Sequence, residues 1–244
     1  MNHFEVLFIL ARPAAGKSEI IKFLSGLSPE IRQTEYFLGN LVVLDDFPIL
    51  WRWFEEDDLL AQMGKPRLYT DDQGYFTDNS LWHLLVKLLI LDYQKLMRKQ
   101  KNLHTDSSVI IEFSRGSEHG GYKEAFKNIP DEVLSKSAVL YVKVPWEESF
   151  RKNRCRYNPD NADSILEHSV PDEKMSRLYF DDDWQTLAGN SSGCALINGC
   201  QVPYAVFENA DDVTTRGGND LVIRLKETLQ VLWSINLKRT HQDF

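Results

Sequence analysis

Short runs of apolar, β-branched and aromatic residues recur along the chain at 5–10, 40–44, 108–113, 138–144 and 203–207, and each reads as a buried strand. Between them the apolar positions change to helical spacing, at 17–27, 81–101, 121–126, 147–157 and 220–237. Strands that alternate with helices pair in parallel, with right-handed crossovers. The pattern predicts an α/β protein: a three-layer sandwich with a mostly parallel five-stranded sheet and helices on both faces. One signal is antiparallel. Asn198-Gly199 separates two extended runs and has the chemistry of a two-residue hairpin turn, which sets Ile197 opposite Cys200 and Cys194 opposite Pro203. In that register Cys194 and Cys200 are not a pair, so free thiols are expected, and the C-terminal hairpin shields the sheet edge.

No repeat, linker or low-complexity tract divides residues 1–244, which read as one domain. Hydrophobic residues make up 43% and charged residues 26%, enough core at this length for stability without disulfides or a structural metal. Three cysteines, and an N-terminus that runs straight into a strand, predict a cytoplasmic protein. The densest apolar stretch, 81–91, contains His83 and Lys87 and is too short to cross a bilayer, so no membrane partner is expected. With 28 basic against 36 acidic residues, a net charge of −8 disfavours general nucleic-acid binding but allows a local phosphate site. The histidines and cysteines lack metal-binding spacing, and no Gly-x-Ser-x-Gly element supports a hydrolase triad. The run Asp181-Asp182-Asp183 reads as solvated surface.

The sequence Ala11-Arg-Pro-Ala-Ala-Gly-Lys-Ser18 follows the first strand and opens the first helix. Polyphosphate binding needs backbone N–H groups in a loop, a helix N-terminus aimed at the anion, a lysine for the terminal phosphates and a hydroxyl for Mg²⁺. Gly16, Lys17 and Ser18 suit those roles, and Ala14, Ala15 and Glu19 complete the predicted nucleotide-binding run. Ala11 stands where the strict pattern has its first glycine. The loop resembles that of the P-loop NTPase superfamily, and its N-terminal position resembles the small kinases of that group.

Catalytic groups of an open parallel sheet gather at the carboxyl ends of its strands. Asp45 and Asp46 follow the second strand, and Glu112 and Arg115 close the third. One of the two aspartates is the candidate base or acceptor anchor, without a choice between them. Glu112 is the candidate metal-facing or water-linked acid, so Ser18 and Glu112 are the expected metal contacts. Nucleoside kinases are similar in carrying an acid, a proline and a tryptophan after the second strand, as in Asp45-Asp-Phe-Pro-Ile-Leu-Trp51. They also have an acid near an arginine after the third, although here Glu112 and Arg115 are not adjacent.

The helix after the fourth strand carries acids first and bases last. In P-loop kinases a similar segment is an arginine-bearing lid. The resemblance implies that Arg151 and Arg154 close on the phosphates within a lid-like region of about 146–185, in which the polar stretch 158–163 is mobile. It also implies that the aromatic and acidic insertion at about 47–80 covers the acceptor, with Arg52 or Arg67 near an anionic tail, and that Asn209 contacts the base. The whole implies an ATP- and Mg²⁺-dependent phosphotransferase acting on a small acceptor, first a nucleoside or nucleotide. The competing expectation is a nucleotide-binding regulatory or partner-binding protein without turnover.

Overall fold

The computed structural model describes residues 2–156, 169–189 and 191–242. The elements run β1 (Val6–Leu10), α1 (Lys17–Gly26), α2 (Pro29–Tyr36), β2 (Asn40–Asp45), α3 (Phe47–Gln62), α4 (Ser80–Lys99), β3 (Ser107–Phe113), α5 (Gly121–Phe126), α6 (Asp131–Leu134) and β4 (Ser137–Lys143). They continue with α7 (Trp146–Arg156), α8 (Asp172–Tyr179), α9 (Trp184–Leu187), β5 (Gly193–Ile197), β6 (Cys200–Glu208), α10 (Val213–Arg216) and α11 (Gly218–Gln242).

The sheet order is β2-β3-β1-β4-β6-β5, with every pair parallel except the edge pair β5–β6. All five expected strands form. The sheet nevertheless has six strands rather than five, because the first arm of the hairpin pairs along its whole length. Its register is the expected one, with Ile197 opposite Cys200 and Cys194 opposite Pro203, and the three cysteines are free.

The side chains of β1 explain the three layers. Val6, Phe8 and Leu10 enter one hydrophobic cluster with α4 and α5, while Leu7 and Ile9 enter a second with α1 and α11. A strand buried on both faces cannot alternate apolar with polar, hence the continuous run Val6-Leu-Phe-Ile-Leu10. A third, smaller cluster joins Trp53 of α3 to Trp82 and Leu85 of α4. Helix α2 was not anticipated, yet its start is written in Ser28-Pro29: the Ser28 hydroxyl accepts from Ile31 N–H at 3.3 Å, and Pro29 occupies the first turn. Among the described residues no helix is long and apolar enough to cross a membrane.

Candidate functional site

From β1 the chain passes to one side for β2 and β3, then to the other for β4 and β6. That reversal opens a crevice at the carboxyl ends of the strands, the place where open α/β sheets bind ligands. A cavity of about 1050 Å³ lies there, and the loop between β1 and α1 forms one wall.

The loop is held by groups far away in sequence. Ser149 Oγ donates to Pro13 O at 2.8 Å, and Asn209 Nδ2 donates to Ala15 O at 2.9 Å. Arg12 donates to Val144 O, Tyr179 O and Phe180 O and pairs with Asp182 at 3.2 Å. Gly16 caps α1 at φ +107°, a conformation that residues with a side chain rarely adopt, and Ala14 is left-handed at φ +56°. Helix α1 starts at Lys17, so its first N–H groups lack intrahelical acceptors.

Lys17 Nζ donates to Ser114 Oγ at 2.7 Å, just beyond the end of β3. Asp45 and Glu112 are register partners on β2 and β3 and both line the cavity. Burial raises Asp45 to about 6, with the Asp46 charge adding, against Phe47 N–H and the Lys17 and Arg156 charges. Burial likewise raises Glu112 to about 7, opposed by Lys17 and assisted by Asp45 and Asp46. Asp46 differs from its neighbour: its Oδ2 accepts from Arg115 Nη1 at 2.7 Å in a buried pair, and Arg115 Nη2 donates to Trp82 O. Arg115 therefore pairs with Asp46 and not with Glu112.

Among the residues expected from sequence, Ala14, Ala15, Gly16, Lys17, Ser18, Glu19, Asp45, Asp46, Glu112, Arg115 and Arg151 all line this one cavity. Arg154 does not. It is exposed, bonded to Asp172 at 2.7 Å and stacked on Phe150. Residues 151, 152, 153, 155 and 156 of α7 line the cavity, and residue 154 alone between them does not. Arg156 lines the cavity in its place, and its charge reaches Asp45 and Glu112.

Asn209 is not a base contact, because it is fully buried and spent on Ala15 O and on Thr214. Arg52 pairs with Glu55 and Glu56, and Arg67 with Asp58 at 2.8 Å; neither enters the cavity. The run 181–183 is not simply solvated: Asp182 accepts from Tyr141 and Arg12, and Asp183 caps the N–H groups of Tyr122 and Lys123 on α5. Those bonds anchor the end of the expected lid-like region. The polar stretch 158–163 lies outside the described residues.

Sequence reasoning also missed Arg12, Lys152, Lys174 and Arg177. Lys152 Nζ donates to Asp212 at 2.6 Å, and Lys174 and Arg177 of α8 face the aromatic end of the cavity. That end is walled by Phe47, Leu50, Trp51 and Phe54, one face of α3 by their spacing, and by Tyr75, Phe76 and Trp82. Among the described residues no three His, Cys, Asp or Glu side chains are grouped to hold a metal ion.

No protein-family description matches the chain, and no curated protein does. Among solved structures it is similar to "Crystal structure of APE1195", with 13% identity and a TM-score of 0.44 over 97% of this chain and 98% of that one. It is also similar to "Crystal structure of TT1252 from Thermus thermophilus", with 16% identity and a TM-score of 0.37 over 95% and 97%.

Proposed function

We propose that the protein is a phosphotransferase of the P-loop kinase type, moving the γ-phosphoryl of ATP to the hydroxyl of a small acceptor. One observation carries this reading: the loop with Lys17 and the carboxylates of Asp45 and Glu112 meet in a single cavity at the strand ends. In this reading the first turn of α1 and the loop N–H groups bind the phosphates, with Lys17 on the terminal ones. Asp45 is the favoured base. Its Oδ1 is fixed by Phe47 N–H at 2.9 Å, and among the described residues no hydrogen bond is made to its Oδ2, whereas Asp46 is committed to Arg115. Asp45 takes the acceptor's proton as the new P–O bond forms and the bond to the leaving ADP oxygen breaks. Arg151 and Arg156 supply positive charge from α7, and the aromatic walls exclude water.

The donor set fits a magnesium ion that arrives with the nucleotide. The exposed Ser18 hydroxyl and the Glu112 carboxylate would hold it, which suits an ion that keeps several of its ligands as phosphate and water. When bound, the ion neutralises charge on the β and γ oxygens.

The test is Mg-ATP-dependent ADP release against pooled nucleosides, nucleoside monophosphates and small hydroxylated metabolites, with Lys17→Ala alongside. A pool that accelerates release only in the unmodified protein supports the reading. ATP binding without acceleration by any pool would favour a nucleotide-binding regulator.

A further inference from the structure

The aromatic end of the cavity holds a cation that the phosphoryl transfer does not use. Lys174, near the start of α8, is half-buried; its Nζ donates to Gly74 O at 3.0 Å and stands over the rings of Tyr75 at 5.2 Å and Phe54 at 5.8 Å. Among the described residues no carboxylate lies within 4.0 Å of it. Burial pulls this ammonium below the ordinary lysine value, with Asp71 opposing. Arg177, one turn on, lies 4.4 Å over Tyr75, but Glu118 meets its charge at 2.8 Å. Lys174 is thus the less neutralised of the two. A partly desolvated ammonium held by one carbonyl and two ring faces is a strong partner for an anion.

Its position sets the length of what would reach it. Phe54 lies eight residues beyond Asp46 along α3, so this end is about 12 Å from the strand-end carboxylates by helical rise. Leu50, Trp51, Phe76 and Trp82 line the interval with apolar and planar surface.

We propose that the ligand of this cavity carries a permanent negative charge at the end remote from its reacting hydroxyl, held by Lys174, with a planar or apolar body between. Only the hydroxyl end rests on the phosphotransferase reading. A ligand neutral at that end would leave Lys174 unmet, so the charge is a specificity element and not a contribution to the reacting centre. A carboxylate and a phosphate monoester share the required chemistry.

The probe is a rigid para-substituted biphenyl with a hydroxymethyl group at one end and, at the other, a carboxylate, a phosphate monoester or a neutral carboxamide. Binding is followed by quenching of tryptophan fluorescence, with a non-hydrolysable ATP analogue present, and turnover by ADP release with ATP. At least one charged probe is expected to bind about tenfold or more tightly than the carboxamide, as charge-assisted hydrogen bonds do, and the better of the two names the anion. Lys174→Met should erase that preference and Lys174→Arg retain it, with Lys174→Gln replacing the methionine variant if that fails to fold. Equal binding of charged and neutral probes, a preference that survives Lys174→Met, or no binding by any charged probe overturns the proposal. Lys174-dependent binding without ADP release counts against the kinase reading alone, whereas ADP release without charge preference counts against this inference alone.

Discussion

Replacing Gly16 by alanine tests whether the phosphate loop is shaped by its remote brace. An added Cβ would sit inside van der Waals contact of Thr214 Oγ1, 2.9 Å from Asn209 Nδ2 and 3.0 Å from Thr214 Cβ. Two costs follow. The backbone conformation, φ +107° and ψ 9°, is unsuited to a side chain and costs about 1–3 kcal/mol. Pushing Thr214 aside also breaks its bonds with Asn209, at 2.8 and 3.2 Å, worth about 0.5–1.5 kcal/mol each. Gly16→Ala alone should therefore cost about 2–6 kcal/mol. Thr214→Ala alone loses the hydroxyl's bonds and costs about 1 kcal/mol. In the double variant the worst overlap is gone and mainly the backbone cost remains, so the two effects should fall short of additivity by about 1–2 kcal/mol. Denaturant midpoints of the four proteins, at constant m, give the coupling directly. Additivity within about 0.5 kcal/mol would refute the brace as the reason for glycine at position 16.

Arg156→Ala should lower kcat by at least about tenfold while Arg154→Ala leaves it nearly unchanged, since only Arg156 lines the cavity; equal effects in steady-state assays would contradict that assignment. Asp45 and Glu112 are raised on folding, so between about pH 4 and pH 7 the folded chain binds more protons than the unfolded one and unfolding free energy should fall as pH rises. Asp45→Asn with Glu112→Gln should flatten that slope in denaturation across the window, while the activity of the parent rises with pH as Asp45 ionises. Asp57 is fully buried and accepts from the N–H groups of Leu68, Tyr69 and Thr70 and from the Thr70 hydroxyl, tying the segment after α3 to the helix. Asp57→Ala strands those donors and should cost about 3 kcal/mol or more in chemical denaturation, against a much smaller loss for exposed Asp58.

What could be read in the sequence was local. The strand β1 betrays itself because two hydrophobic layers press on it, and the loop follows because its glycine, lysine and serine are contiguous. Asp45 and Glu112 could be placed together because parallel strands in register align their carboxyl ends. What failed depended on rotation or on distance along the chain. Arg154 and Arg156 differ by two residues, about 200° around a helix, and only the packing of α7 decides which one faces the cavity. Asn209 looks like a loop residue in sequence, while its partner Ala15 is 194 positions away. Asp182 and Asp183 look like surface charge until Tyr141 and the start of α5 arrive beside them.

The same bonds decide how the far end of the cavity is held. Tyr179 O and Phe180 O are held by Arg12, Asp181 O accepts from Ser117 N–H, and Asp183 is fixed to α5. The start of α8 is tied as well: Asn153 of α7 donates to Val170 O at 2.6 Å and accepts from Val170 N–H at 3.0 Å, beside the exposed Arg154–Asp172 pair and the Lys174–Gly74 hydrogen bond. The exposed ion pair contributes about 0–1 kcal/mol, so the Asn153–Val170 bonds carry most of the attachment at this end. Both ends of α8 are therefore fixed to neighbouring elements, α7 at its start and the phosphate loop at its end. Arg12, inside the phosphate loop, holds the last residues of α8, so the loop is bonded directly to the helix that carries Lys174.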